Sequence, residues 1–150
     1  MKALLPYDPA APGVPRVGEV AEPAAGPGEL LIEVRAAGVN HADLLQLRGR
    51  YPVPAGESEV PGLECAGMVA AVGEGVEGWA PGERAMALLA GGGHGERVAA
   101  PAGQAMRVPE GLSFVEAAAV PEAGLTAWTN LVAEGGLAAG EWVLVTGATG

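Results

Sequence analysis

The stretch that decides the fold is residues 60–85, VPGLECAGMVAAVGEGVEGWAPGERA. Its first half contains an apolar run, including Val69 and Val72, that is typical of a buried strand. Glycines then supply turn positions where a positive φ costs nothing, and Pro81-Gly82 is a second turn signal. The run RAMALL at residues 84–89 resumes a strand. This stretch therefore predicts a compact unit rich in β-strands and tight turns.

The composition is that of one domain whose core is built from small aliphatic side chains. The 150 residues are 49% hydrophobic but only 4% aromatic, and they include 25 glycines and 13 prolines. Such a chain favours short strands and many turns over long helices. The formal net charge of −10 lacks the basic footprint that nucleic-acid binding requires, so we expect a solvated acidic surface and no nucleic-acid partner.

The single cysteine, Cys65, excludes an intrachain disulfide and a metal site made from a cysteine cluster. We predict that it is a small buried side chain. The N-terminal residues lack the apolar run and cleavage pattern of a secretory signal. No stretch reaches the roughly 18 to 20 apolar residues that a membrane helix needs. These features predict a cytoplasmic protein that does not enter a membrane.

The residues on either side of the deciding stretch predict further strands and one short helix. Residues 30–36 alternate, with Leu30 and Ile32 on one face and Glu33 on the other. A helix is expected at residues 41–47, with Asn40 as its N-cap and Gly49 as its C-terminal stop. The remaining strands are predicted at residues 2–5, 67–72, 83–90, 96–100 and 105–109.

The pattern changes near residue 113. Ser113 and Glu116 have the spacing of a capping box, which opens a helix that Pro121 interrupts or kinks, and a second helix is predicted at residues 124–134. The run WVLV at residues 142–145 is typical of a strand buried on both faces of a parallel sheet. It leads to Gly147 and Gly150, part of a dinucleotide fingerprint whose third glycine and helix would follow.

The motifs occur in the order found in the medium-chain dehydrogenase/reductase superfamily. The segments GLE at 62–64, GVNHAD at 38–43, PGER at 81–84 and GLTA at 124–127 resemble its signature, most closely that of the zinc-free quinone oxidoreductases of the ζ-crystallin type. The resemblance implies a GroES-like, partly open antiparallel barrel at residues 1–120. Residues 121–150 would form a helical connector and the first strand and glycine turn of an incomplete Rossmann α/β domain. An ordinary β-sandwich ranks second.

The resemblance also implies catalytic residues. Asn40 would donate a hydrogen bond near the quinone or the nicotinamide ribose, Asp43 would orient it, and Tyr51 would line the quinone pocket. Judged from the sequence alone, Asn40 and Asp43 can also be helix caps, which is compatible with a site role, and Tyr51 can be an aromatic at the edge of the core.

Further residues are implied for the cofactor. Thr126 would contact it near the nicotinamide half, together with Asn40, while Gly147 and Gly150 belong to the dinucleotide turn. The alternative for Thr126 is a hydroxyl that bonds back to the preceding helical turn. NADPH (NADP) is named because the resembling branch usually uses it.

The resemblance argues against zinc. A zinc alcohol dehydrogenase of this superfamily would have Cys in place of Asn40 and His in place of Leu63. Glu64 and Cys65 alone cannot supply the three protein ligands of a catalytic zinc. We therefore predict no metal and no acid–base role for either histidine, and the role of His94 stays open.

The function implied is an NADPH-dependent quinone oxidoreductase, of which these 150 residues are an incomplete portion, inactive alone. Hydride transfer to a quinone yields an aromatic hydroquinone anion, so zinc is not obligatory. One alternative is an NADPH-dependent enone or enoyl reductase of the same superfamily, and another is a non-catalytic GroES-like binding module. The expected partner is a small-molecule quinone or enone, with a homodimer formed through the cofactor domain.

Overall fold

The computed structural model describes residues 1–147, and strands dominate its first two thirds. A small antiparallel sheet pairs β1 (Lys2–Leu4) with β2 (Val17–Glu19). The larger sheet is antiparallel throughout, in the order β6-β3-β4-β5-β7. Its strands are β3 (Glu29–Ala37), β4 (Glu64–Val72), β5 (Arg84–Leu88), β6 (Arg97–Pro101) and β7 (Ala105–Arg107).

The larger sheet curls into a half-barrel. The register of β3 against β4 shifts twice, between Leu31 and Ile32 and between Val34 and Ala36. Extra residues in one strand of a pair bend the sheet and increase its twist. The partly open, GroES-like barrel expected from the sequence is confirmed, and the β-sandwich is not formed.

The core lies inside the curl. Leu30 and Ile32 of β3 are fully buried, as their alternation predicts, and Val69 of β4 packs against them. Complete burial of an aliphatic side chain of this size stabilises the fold by about 1.5–3 kcal/mol. Alanines fill much of the remaining core, which explains how a chain with few aromatics packs. Cys65 is buried there, as predicted.

Within residues 1–147, three short α-helices accompany the sheet, namely α1 (His41–Gln46), α2 (Phe114–Ala117) and α3 (Pro121–Trp128), and a 3-10 turn (Ala102–Gln104) precedes β7. The capping box of α2 is confirmed, with the Ser113 hydroxyl accepting from the Glu116 N–H at 3.2 Å. Pro121 does not interrupt a helix but begins α3, because a proline at the first helical position removes an N–H that has no helical partner. The chain continues as π-helix through Thr129–Glu134.

The strand predicted at residues 142–145 is not formed in the structure. Residues 141–147 are irregular, with Trp142 98% and Leu144 88% exposed. A central parallel strand is stable only between neighbouring strands, and no strand in residues 1–147 pairs with this segment. Gly147 has a positive φ of 68°, and Gly150 lies outside the described residues. No helix within the described chain has the length and apolarity needed to cross a membrane.

Candidate active site

The buried carboxylate of Asp43 organises the start of α1. This side chain is 1% exposed, and its Oδ2 accepts from the Asn40 backbone N–H at 2.7 Å. Its Oδ1 accepts from the Gly62 N–H at 3.0 Å, which joins α1 to the turn before β4. Because both oxygens are occupied by backbone donors, Asp43 orients the segment that carries Asn40 rather than facing a ligand.

The turn at Gly62 fits closely against the loop that contains His94. Gly62 has a φ of 114°, and a Cβ added there would lie 2.4 Å from the His94 backbone nitrogen. The two segments bond directly, since the His94 N–H donates to the Pro61 carbonyl at 2.9 Å. Glycine is therefore required at this position both for its backbone conformation and for the close approach.

A second buried carboxylate, Glu64, holds the Asn40 side chain. Glu64 is 3% exposed, and its Oε1 accepts from Asn40 Nδ2 at 3.0 Å. Its Oε2 accepts from the Glu122 backbone N–H at 3.0 Å, in the first turn of α3. Glu64, the first residue of β4, therefore connects this strand to the starts of α1 and α3. Its negative charge faces the positive end of α3.

His94 contacts the segment that precedes Asn40. Its Nε2 lies 2.9 Å from the Gly38 carbonyl oxygen, which can only accept, so Nε2 carries the hydrogen and donates. Nε2 is also 3.9 Å from Oδ2 of Asp43. Its Nδ1 is buried without a hydrogen-bond partner in the described part of the chain. His94 thus fixes the backbone between β3 and α1, whereas His41 is exposed.

The donor set does not fit a catalytic zinc. Asn40 and Leu63 occupy the positions where a zinc alcohol dehydrogenase of this superfamily would have Cys and His. Cys65 points into the core. Burial, assisted by the charge of Glu64, raises the pKa of the Cys65 thiol to about 12, as expected for a side chain enclosed in the core. Within residues 1–147 no three His, Cys, Asp or Glu side chains are grouped to hold an ion.

The remaining predicted site residues are placed differently. Thr126 is exposed on α3, one turn after Glu122 and so on the same helix face. The hydrogen bonds of Glu64 connect Asn40 with the first turn of α3, the helix that carries Thr126. Tyr51 instead lines a cavity of about 370 Å³ beyond the other end of α1, with Tyr7. No hydrogen bond in the described chain connects Tyr51 with Asn40.

The central position of Glu64 was missed by sequence reasoning, which considered it only as a zinc ligand. The available signal was a glutamate that opens an otherwise apolar run, at residues 64–72. Glutamate is almost never fully buried unless it is paired, so a polar network was foreseeable, although its members were not.

Comparison with known proteins gives the family. Residues 26–128 match the alcohol dehydrogenase GroES-like domain. The chain belongs to this family. The resemblance to the medium-chain dehydrogenase/reductase superfamily is thereby confirmed, and quinone oxidoreductases and VAT-1 homologues among the relatives are consistent with its zinc-free branch.

Three relatives show how much of their own length this chain covers. The human synaptic vesicle membrane protein VAT-1 homolog is 40% identical over 134 residues, which are 87% of this chain and 33% of the relative. A mycobacterial protein solved in complex with NADPH aligns with a TM-score of 0.79 and 34% identity, over 94% of this chain and 44% of its own. A quinone oxidoreductase from Pseudomonas syringae pv. tomato has a TM-score of 0.74 and 27% identity, over 88% and 41%. The chain spans about a third of the curated relative and less than half of each solved one.

Proposed function

We propose that this chain is the substrate-side portion of an NADPH-dependent quinone oxidoreductase that transfers hydride without zinc. The observation that carries the proposal is the Asn40 amide, which Glu64 holds close to the start of the helix that bears Thr126. A polar group fixed in this way can bind a substrate oxygen beside a cofactor. The solved relatives include quinone oxidoreductases and a protein in complex with NADPH, which supports the choice of substrate and coenzyme.

The described residues fit a nicotinamide cofactor on the surface between Asn40 and α3. The Asn40 nitrogen has two N–H groups, of which Glu64 takes one, so one stays available to a substrate oxygen beside the cofactor. The Thr126 side chain is exposed and can donate or accept. When bound, the dihydronicotinamide supplies the hydride. The role of the chain is to hold the acceptor against it, and Gly147 and Gly150 stay predicted contacts of its phosphates.

The chemistry of the site suits a quinone better than a simple ketone. Reduction of a ketone places charge on an alkoxide, which zinc or a strong acid would stabilise, whereas a hydroquinone anion is stabilised by its own aromaticity. Neither Asp43 nor His94 is positioned as an acid, because both Asp43 oxygens and His94 Nε2 already bond to the backbone at Gly62, Asn40 and Gly38, and His94 Nδ1 is buried. The remaining Asn40 N–H would stabilise the developing negative charge on the quinone oxygen.

The test measures the loss of NADPH absorbance by the complete protein with benzoquinone and, separately, with a conjugated enone. We expect turnover with the quinone that a chelator does not change. Asn40→Ala should lower kcat/KM about a hundredfold, as for loss of one donor to a developing oxyanion. Gln104→Ala, which removes an exposed amide from the turn before β7, is the matched control and should leave it unchanged.

Three results would contradict the proposal. Faster turnover of the enone would favour an enone or enoyl reductase, and sensitivity to the chelator would show a metal in the reaction. Failure of the complete protein to bind NADPH in equilibrium dialysis would favour a binding module without catalysis.

A further inference from the structure

Glu64 is a buried carboxylate whose binding partners are all neutral. It is 3% exposed, and no Lys, Arg or His in residues 1–147 forms an ion pair with it. Its two oxygens instead accept from the Asn40 side chain and from the Glu122 backbone. Burying a charge without a counter-ion is costly unless hydrogen bonds compensate, so these two bonds are what make the position tolerable.

The backbone at Gly38 keeps the Glu64 carboxylate in place. Gly38 lies directly against Glu64, and a Cβ added to Gly38 would be within clashing distance of Oε1 and 2.5 Å from the carboxyl carbon. His94 fixes the Gly38 carbonyl through its Nε2 at 2.9 Å. The carboxylate therefore sits in a slot with little freedom to turn.

A carboxylate in this position decides which way the Asn40 amide faces. An ionised carboxylate only accepts hydrogen bonds, whereas an amide has a donating and an accepting end. The nitrogen end of Asn40 must therefore face Glu64, and the second N–H and the carbonyl oxygen are oriented by that contact. Without it, a half-turn about the last side-chain bond would exchange the two ends, opposed by the contact of the Asn40 side chain with the Asp43 backbone N–H in the capping box of α1.

We infer that Glu64 is a positioning residue, which fixes the orientation of the Asn40 amide and its placement relative to the Thr126 face of α3. This inference rests on the proposed function, because it assigns Glu64 the task of presenting the Asn40 donor to the substrate. Glu64 is 3% exposed and both of its oxygens accept from groups of the protein, so it acts through Asn40 rather than by touching substrate or cofactor.

Glu64→Gln is the sharpest test because it conserves shape while changing the hydrogen-bond pattern. Glutamine offers one acceptor and one donor where two donors, Asn40 Nδ2–H and Glu122 N–H, face it. The backbone N–H cannot turn, but the Asn40 amide can. We therefore expect the glutamine oxygen to accept from the Glu122 N–H. The glutamine NH₂ group should then donate to the Asn40 side-chain oxygen, after the Asn40 amide has flipped.

The activity arm is a double-mutant cycle in the complete protein. Glu64→Gln should lower kcat for the quinone at least about tenfold, with an unchanged Kd for NADPH, because the donor to the substrate is lost. In the Asn40→Ala background the same substitution should have no further effect. Glu74→Gln, an exposed glutamate, is the matched control and should leave kcat unchanged. Equal losses in both backgrounds would overturn the inference.

A second arm does not depend on catalysis. The chain has two asparagines, Asn40 and Asn130, so selective ¹⁵N labelling gives two side-chain NH₂ signals. Glu64→Gln should shift the Asn40 pair and leave Asn130 in place, whereas an unmoved Asn40 pair would refute the positioning role. If the unaltered protein does not reduce quinones, the proposed function fails, while this arm still decides whether Glu64 orients Asn40.

Discussion

At the scale of single residues, Asp43 shows how one carboxylate can fix a helix start. Its two oxygens accept from two different backbone N–H groups, those of Asn40 and Gly62. In Asp43→Asn one of these donors would face the side-chain NH₂ and lose its acceptor inside the protein. We expect the free energy of unfolding to fall by about 1–3 kcal/mol, measured by chemical denaturation.

The other aspartate of the chain is the matched control for this substitution. Asp8 forms a partly exposed ion pair with Arg16 at 2.6 Å and accepts from the Ala10 N–H at 2.8 Å, a bond that one asparagine oxygen can keep. Asp8→Asn should therefore cost less than about 1 kcal/mol. A loss as large as that of Asp43→Asn would show that burial of the acceptor is not what matters.

The buried thiol of Cys65 gives a second prediction at this scale. Burial, with the charge of Glu64 adding to it, raises its pKa from 9.0 to about 12, and the thiolate is the reactive form. At pH 8 this lowers the thiolate fraction about a thousandfold, since each pKa unit is a factor of ten. Labelling by a disulfide reagent should be correspondingly slow in the native protein and fast in denaturant. Equal rates in the two states would contradict the buried position.

At the scale of elements, the contact between the Gly62 turn and the His94 loop predicts that alanine substitution destabilises the fold more at Gly62 than at Gly75. A Cβ at Gly62 would meet the His94 backbone nitrogen at 2.4 Å, with a φ of 114°. Gly62→Ala should therefore destabilise the fold by about 3 kcal/mol or more. Gly75 has a φ of 77° but open space around it, so Gly75→Ala should cost only about 1–2 kcal/mol. Similar thermal shifts for both would show that the two segments do not pack closely.

The capping box of α2 predicts a pH dependence. The Ser113 backbone N–H and then its hydroxyl lower the pKa of Glu116. A lowered pKa means that the stabilisation is complete above the ordinary carboxyl pKa and is lost as the pH falls through the lowered value. Ser113→Ala should raise the pKa of Glu116 partway, because the backbone donor remains. Glu83, whose pKa is lowered chiefly by the Ala80 N–H, is the internal control in the same NMR titration.

Elements differ in how far the sequence predicted them, and the difference is physical. The alternation of Leu30 and Ile32 predicted β3 because burial of one strand face is a local pattern. β2 was missed, since Val17–Glu19 has no alternation of its own and depends on pairing with β1. The bonds of Glu64 could not be foreseen, because its partners lie 24 and 58 residues away along the chain.

At the scale of the whole molecule, the exposed apolar side chains gather in the last part of the chain. Leu131, Trp142 and Val143 line one groove, and Leu144 next to it is largely exposed. Contiguous apolar surface of this kind promotes association. It is opposed by the net charge of −10, whose repulsion between molecules acts over about 10 Å in 0.1 M salt and about 3 Å in 1 M.

The 150-residue chain should therefore self-associate through this groove, and more strongly as salt is added. Sedimentation velocity over a range of protein and salt concentrations measures the effect. Replacing Trp142 and Leu144 together by glutamine keeps the charge constant while removing apolar surface, so association should weaken. Val17→Gln changes a 73% exposed side chain on β2, outside this groove, and is the matched control. If the double variant associates as strongly as the unaltered chain, the groove is not the contact. If added salt weakens association instead, polar rather than apolar contacts hold the molecules together, because screening weakens attraction between charges but not the burial of apolar surface.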